Sequence, residues 1–443
     1  MKRYALEKLV AWSRRKDGQR KPLLVGGARQ VGKTWLMREL ARTAYKKEAY
    51  VNFVENPEAA KAFAGTLHVR DIMEILSVRS GTDITPGDTL LILDEIQESE
   101  RALNALKFLR ENAPQYHIVA AGSLLGVALR KRRMSFPVGQ VEFFHLHPLG
   151  FCEFLEGIGR EKLAAHLLER RASVIDALSE TYERHLKQYL CVGGMPEAVA
   201  AFAATGDTEA ARAAHRGILT SYEADFFKYT EPANIMRIRA VWESLPRQLA
   251  GENKKFTYRG IAEGARGRDY DGAIEWLQTC GLIHKVCRIT KPALPLKAYL
   301  DDSAFKLYML DCGLMSTLAG LDTATILEGD ALFSEFKGAL TEQYVLQTLK
   351  LNKDLPVGYW ANPTGAAEVD FIIQHGGQNI PMEVKSGTNL KSKSLAAYRA
   401  KFSQRAAVRC SLAHFGEKDG LLSIPLYALE QLTDHLPQNP RRK

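Results

Sequence analysis

Three stretches of the chain carry residues that handle phosphate, water or a hard cation. The first is GARQVGKT, Gly27 to Thr34, with the spacing G-x-x-x-x-G-K-T. Glycines there let backbone N–H groups curl around phosphate oxygens, and the helix N-terminus that follows adds partial positive charge. Gly27, Ala28, Arg29, Gln30, Val31, Gly32, Lys33, Thr34 and Trp35 are expected to line the nucleotide. Lys33 would reach the β- and γ-phosphates of ATP, and Thr34 would ligate Mg2+.

The second stretch is TLLILDEIQ, in which four apolar residues, Leu90 to Leu93, place Asp94 at the C-terminal end of a strand. Asp94 would hold Mg2+ through water, and the adjacent Glu95 would orient or deprotonate the attacking water. Alone, an acid pair after a strand reads as a helix N-cap. Following a phosphate loop, and flanked by further buried strands, it reads as catalytic. AAGS ends the next strand, and Ser123 is either a polar sensor of the γ-phosphate or the cap of the next helix. Beyond it, Arg130, Lys131, Arg132 and Arg133 offer an arginine finger in trans or a solvated basic run.

The third stretch lies near the end of the chain, in AEVDFII and PMEVKSG. Side chains alternate along a strand, so Glu368 and Asp370 share a face opposite Val369, Phe371 and Ile373, and Glu383 and Lys385 share another. QHGGQN between them is a Gly-Gly hairpin signal. With a two- or four-residue loop centred on Gly376-Gly377, Asp370 lies opposite Glu383, and Glu368 opposite Lys385. Like charges directly opposite destabilise a hairpin unless a divalent cation bridges them. The set D…E-x-K suits a metal-dependent phosphodiesterase. Asp370 and Glu383 would hold Mg2+, Lys385 would position hydroxide or stabilise the transition state, and Glu342 on the preceding helix would complete the site. The competing reading is a surface pair on a fold without catalysis.

These groups need elements to hold them. The first 155 residues alternate strand and helix signals, as in KPLLVGG and KTWLMRELARTAY, which implies an α/β fold with a parallel sheet covered by helices on both faces. Residues 156–250 turn Ala-, Glu- and Arg-rich with helical periodicity and read as a helical connector. Residues 251–325 hold two short helical pieces, a Gly-terminated helix and strand-like runs, the order of a winged helix. Residues 326–443 hold a helix, alternating strands and a basic tail, NPRRK. In the winged-helix segment, DYDGAIEWLQTCGLI is a candidate recognition helix, and Arg266, Arg268, Lys285, Arg288 and Lys291 are candidate phosphate contacts. Trp276, Leu277, Leu282 and Ile283 read as core there, and Asp269, Asp271 and Glu275 would repel DNA. A protein-interaction module or rigid spacer is the other reading.

The totals agree with this division. The 443 residues suffice for two to four domains. The net charge of +9 favours an acidic partner, nucleic acid above all. None of the six cysteines forms a C-x-x-C pair, so neither a zinc site nor a disulfide framework is suggested. The N-terminus lacks the apolar core of a signal peptide, and no run is apolar for long enough to span a bilayer. A cytoplasmic protein is expected.

With these residues in place, the chain resembles the prokaryotic AAA-type ATPases that carry a C-terminal "domain of unknown function 4143". The matching stretches include GARQVGKT, LILDEIQ, AAGSLLG, YLCVGGMPEAV, FKLYMLDCGLM, FKGALTEQYV, AEVDFII and MEVKSG, spread over nearly the whole chain. Gln140 departs from the family, which usually has a basic residue there. The resemblance implies an ATP-binding P-loop domain (1–155), then a winged-helix segment and a nuclease-like C-terminal fold similar to restriction endonucleases. It implies no substrate. The expectation is a Mg2+-dependent ATPase that couples hydrolysis to movement of its C-terminal domains on DNA, RNA or a protein partner, with no membrane and an open oligomeric state. The alternatives are an ATP-dependent metal nuclease and a nucleotide-switched scaffold with an inactive nuclease fold.

Overall fold

The apolar runs of the N-terminal segment become the strands of one parallel sheet. In the computed structural model, which describes residues 1–65, 68–123, 126, 139–251, 254–328, 334–351, 355–362, 367–388 and 392–436, these are β1 (Leu23–Gly26), β2 (Lys47–Asn52), β3 (Thr89–Asp94), β4 (His117–Ala121) and β5 (Glu142–His145). Their order is β2-β3-β4-β1-β5, every pair parallel. Helices α1 (Ala5–Ser13), α2 (Lys33–Ala44), α3 (Val69–Ser80) and α4 (Glu100–Asn112) flank it. All six residues of β3 are buried, as a parallel strand covered on both faces must be. Leu91, Leu93, Ile118 and Ala120 pack with Ile72 and Leu76 of α3 and Leu103 and Leu106 of α4. Because β4 is inserted between β3 and β1, the strand carrying the acid pair and the strand carrying the phosphate loop end on either side of Ser123.

The chain divides into two compact units. One holds Lys2–His147 with Thr279–Gly281, and the other holds Met1, Pro148–Gln278 and Leu282–Lys443. The boundaries expected at 155/156 and 325/326 both fall inside helices, α5 (Phe151–Gly157) and α14 (Thr323–Glu328). The remaining α-helices among the described residues of the second unit are α6 (Glu161–Leu168), α7 (Ala172–Ala177), α8 (Ser179–Val192), α9 (Pro196–Thr205), α10 (Thr208–Tyr229), α11 (Pro232–Ala250), α12 (Gly267–Thr279), α13 (Cys312–Leu318), α15 (Ser334–Leu351), α16 (Lys393–Phe402) and the short α17 (Leu432–His435).

The expected winged helix and nuclease-like domain are not separate bodies. β6 (Ile283–Ile289) and β7 (Leu300–Met309) form the antiparallel hairpin that the sequence suggests as a wing. That hairpin is the edge of one eight-stranded mixed sheet with β8 (Val357–Ala361), β9 (Glu368–His375), β10 (Gln378–Val384), β11 (Ala407–Ser411), β12 (Gly416–Lys418) and β13 (Leu421–Pro425), in the order β12-β13-β11-β10-β9-β8-β6-β7. A single parallel pair, Arg288 with Tyr359, joins β6 to β8. Such a junction has no local sequence signal.

The β9–β10 hairpin has the expected register. Gly376 and Gly377 have φ of +54° and +75°, which a two-residue type I′ turn requires and glycine tolerates. His375 pairs with Gln378, Ile373 with Ile380 and Phe371 with Met382. The ladder ends there, because the Asp370 carboxylate accepts the Val384 N–H at 2.7 Å.

One buried carboxylate ties the helices of this unit to its sheet. Asp311, fully buried, follows β7 and caps α13 by accepting the Leu314 N–H at 3.0 Å. Its other oxygen accepts the Gly194 N–H at 2.6 Å and Gln347 Nε2 at 3.0 Å. One turn earlier on α15, Gln343 clasps both backbone groups of Met309. Removing a buried carboxylate that satisfies three donors leaves those donors stranded. Asp311→Ala should therefore lower the unfolding free energy by about 3 kcal/mol or more, read as a shift in the urea midpoint. A loss under ~1 kcal/mol would show that the network is not holding the unit together.

Candidate functional site

The phosphate loop is built against backbone. Gly27 has φ +136°, and a Cβ there would overlap the Leu146 carbonyl oxygen, so only glycine lets the loop lie on the segment after β5. Gln30 and Gly32 also have positive φ, at +66° and +93°, which turns the chain sharply into α2. Ala28 and Val31 are buried beneath it. Arg3, which sequence reasoning did not single out, is buried and donates to the Val31 carbonyl at 3.0 Å and the His147 carbonyl at 2.6 Å. It pins the loop from behind. Trp35 is exposed and lines a surface groove with Arg38, Glu39 and Tyr45.

Lys33 opens α2 and is almost fully buried. Its ammonium donates to the carbonyls of Gly27 at 3.0 Å and Ala28 at 2.8 Å. Burial pushes its pKa down to about 8, and the Glu95 and Asp94 carboxylates only partly offset that. The loop thus holds a desolvated cation that has neutral carbonyls as its direct partners. That is the arrangement a phosphate would relieve.

The acid pair stands beside it. Asp94 is buried, and its Oδ2 accepts from Thr34 Oγ1 at 2.7 Å and Tyr50 Oη at 3.0 Å. Its Oδ1 accepts the Glu95 N–H at 3.0 Å. The two residues expected to serve Mg2+, Thr34 and Asp94, are therefore brought together from α2 and β3. A hydroxyl and a carboxylate converging beside the phosphate loop fit an Mg2+ carrying nucleotide phosphates, which would supply charge neutralisation there. Glu95 sits in the left-handed region at φ +50°, a conformation costing about 1 kcal/mol or more for a non-glycine residue. Gln97 donates to its Oε2 at 2.5 Å. Ser123 is half-buried after the end of β4, and the residues it would cap lie outside those described, as do Arg130–Arg133.

Tyr50 and Gln97 are the positioning residues that sequence reasoning missed. Gln97 stands two residues after Glu95 in a motif already of interest. Tyr50 was findable only from the pairing of β2 with β3, which puts it opposite Ile92. The Arg38 guanidinium covers its ring at 4.1 Å from the centroid.

The C-terminal acids gather differently from expectation. Glu342, Asp370 and Glu383 do converge on one side of the second unit, but Glu368 does not meet Lys385. Instead Glu368 pairs with the fully buried Lys306 of β7, which also lies 3.6 Å from Glu342 Oε2. Lys254 pairs with the other Glu342 oxygen, and Tyr308 donates to Oε2 at 3.2 Å. Lys385 binds Glu383, its neighbour along the same strand direction, at 2.7 Å. Burial would push the Glu342 carboxyl up, but the Lys306 and Lys254 ammonium groups outweigh it and hold it below the ordinary range. Asp370 keeps a little solvent access, yet its surroundings and the Glu342 carboxylate push its carboxyl well above the ordinary value. Among the described residues, no three His, Cys, Asp or Glu side chains are arranged to hold a metal ion. The expected metal set of Glu342, Asp370, Glu383 and Lys385 is instead tied up in ion pairs with lysines and a bond to the Val384 N–H.

The proposed phosphate contacts of the wing are mostly engaged. Arg288 pairs with Asp301 at 2.6 Å, Lys285 with Asp302 at 3.8 Å, and the Lys291 ammonium lies 4.7 Å from the Tyr299 ring centroid. Arg266 and Arg268 are exposed. Leu277, Leu282 and Ile283 are core as expected, and Trp276 packs edge-on to Phe226.

A parallel sheet whose first strand runs into GARQVGKT, and whose buried third strand ends in Asp94-Glu95, defines a P-loop nucleoside triphosphatase. More narrowly, residues 19–155 match the family described as an AAA domain, and residues 337–429 match a domain of unknown function, DUF4143. Residues 183–325 match a further domain of unknown function, DUF8612. The chain thus carries an AAA-type P-loop ATPase domain in its N-terminal part and a DUF4143 region towards its C-terminal end. No curated protein matches it. Among solved structures, the Walker-type ATPase PABY2304 of Pyrococcus abyssi aligns at 13% identity and a TM-score of 0.42, over 71% of this chain and 95% of that one. The ORC2 protein of Aeropyrum pernix, in ADPNP and ADP complexes, aligns at 15% identity and a TM-score of 0.36, over 73% and 92%. These superpositions are too loose to carry any functional assignment. No described helix is long and apolar enough to cross a membrane.

Two outcomes follow from this geometry. Phosphate binding raises the pKa of Lys33 from its free value near 8, so ATP binding takes up a proton above that pH. Affinity should then fall as pH rises past about 8, by up to ~tenfold per pH unit, in calorimetric titrations with ATP. A flat profile from pH 7.5 to 9.5 would contradict it. Gln97→Ala should lower kcat about tenfold or more at nearly unchanged KM, because it loosens the base without touching ground-state binding. A rise in KM alone would assign Gln97 to substrate binding instead.

Proposed function

We propose that the chain hydrolyses ATP with Mg2+ and uses the cycle to move its C-terminal unit on nucleic acid. The observation that carries the hydrolytic part is the run of hydrogen bonds from Thr34 through Asp94 to the Glu95 backbone, with Gln97 on the Glu95 carboxylate. Gln97 occupies Oε2 and leaves Oε1 to take a proton from water as that water attacks the γ-phosphorus. Lys33 balances charge on the β- and γ-phosphates, and Ser123 orients the water or the γ-phosphate from the end of β4. Glu95 rather than Asp94 acts as base because Asp94 is occupied by Thr34, Tyr50 and the Glu95 N–H.

Nucleic acid is favoured over a protein partner by the net charge of +9 and by the exposure of Arg266 and Arg268. Both arguments concern non-specific phosphate contact, which sets affinity and salt dependence and carries no sequence preference.

Glu95→Gln should bind ATP normally and lose at least about a hundredfold in kcat. Retention of wild-type turnover would remove Glu95 from the mechanism. Reversing charge at Arg266 and Arg268 together should weaken duplex binding and reduce its salt slope by about 1 per lost phosphate contact. Unchanged binding and slope would remove this surface. An ATPase rate indifferent to DNA, with a stable protein partner in pull-down, would favour the protein reading.

A further inference from the structure

We propose that Lys306 is the resident cation of the C-terminal acidic site, an internal ammonium in the position of charge that a divalent metal would otherwise fill. The inference is independent of the ATPase reading, since every residue involved lies in the second unit.

The argument rests on where the carboxylate oxygens point. Lys306 is completely buried on β7. Its ammonium makes a short ion pair with Glu368 of β9 and lies 3.6 Å from Glu342 Oε2 of α15. The Tyr359 ring covers it at 5.0 Å from the centroid. Strand, neighbouring strand and helix therefore all direct an electron-rich group at one nitrogen. Lys254 takes the second oxygen of Glu342, and Lys385 takes Oε1 of Glu383. Val384 N–H takes Oδ2 of Asp370. Three ammonium groups thus serve three glutamates, and the aspartate is bound by backbone.

A hard divalent ion is held by at least one or two carboxylates and completes its shell of about six oxygens with water. One oxygen of Glu383, Oε2, is buried and without a hydrogen-bond partner among the described residues. Each of the four carboxylates already has an ammonium or backbone partner, and a metal entering beside Asp370 would feel the field of the Lys306 ammonium. Two cations in one buried pocket repel strongly. The site is therefore charge-satisfied by residues of its own chain, and it lacks the metal-activated hydroxide that phosphodiester cleavage uses. The acids and Lys306 then serve to lock β7, β9 and α15 together.

The test is Mn2+ binding to the nucleotide-free full-length chain, followed by electron paramagnetic resonance, with thermal unfolding measured on the same samples. The wild type should show no bound Mn2+ that Glu383→Gln removes. Lys306→Met should lose thermal stability without metal. It should also gain one Mn2+ per chain, recover part of that stability with millimolar Mn2+, and lose the gained site when Glu342→Gln is added. If Lys306→Met does not fold, the wild-type measurement still decides. A wild-type Mn2+ site abolished by Glu383→Gln would overturn the proposal. So would a stable Lys306→Met that binds no Mn2+, because the ammonium would then not be balancing the acids.

Discussion

A buried ammonium is the constraint around which both halves of this chain are arranged. Taking a lysine out of water is costly, and the fold must give the charge carboxylates, give it dipoles, or let it go. Lys33 and Lys306 are both buried and meet opposite solutions. Lys33 is given two loop carbonyls and distant carboxylates, and its pKa falls to about 8. Burial would lower Lys306 too, but Tyr308, Glu342, Glu368 and Asp370 around it raise it well above the ordinary value. The first is a site with charge to spare for an incoming phosphate. The second has none to spare.

The strand order explains how the first solution is reached without a long-range network. In a parallel sheet all strands end on the same side, and the loops beyond those ends form the site. Placing β4 between β1 and β3 opens a gap one strand wide between the phosphate loop and the acid pair. Thr34 still bridges it to Asp94 at 2.7 Å, because α2 starts directly above β1. Tyr50 from β2 supports Asp94 from the far side. The carboxylate is held between two strands and a helix, so the neighbouring Glu95 can depart from ordinary backbone geometry. The rigid neighbour makes the strained base affordable.

How much of this was legible in the sequence depended on the range of the interaction. Gly27 to Thr34 and Leu90 to Glu95 are contiguous, and their roles follow from local turn chemistry and a buried run. The β9–β10 register was equally readable, because two glycines set a two-residue turn and the turn sets every pair. The expected partner of Glu368 was wrong for a physical reason. Register places side chains opposite each other only while the ladder lasts, and this ladder stops at Phe371–Met382 when Asp370 captures Val384 N–H. The wing and the C-terminal strands, expected apart, share one sheet for a related reason, since one pair, Arg288–Tyr359, joins β6 to β8.

Lys306 sits in FKLYML, an apolar strand run in which a single lysine reads as an edge residue with its head in solvent. Nothing nearby in the chain says otherwise. It is buried because β6 and β8 pair across a long stretch of sequence, and because α15 then lays Glu342 over the same face. A D…E-x-K pattern names candidate ligands, but the ion they serve is set by whatever cation the fold has already delivered to them. The same acids would suit a metal if β7 carried an apolar residue at this position. The lysine's place on β7, separated by two strands from the motif's hairpin, and not the motif, decides between a metal-binding site and a structural ion cluster.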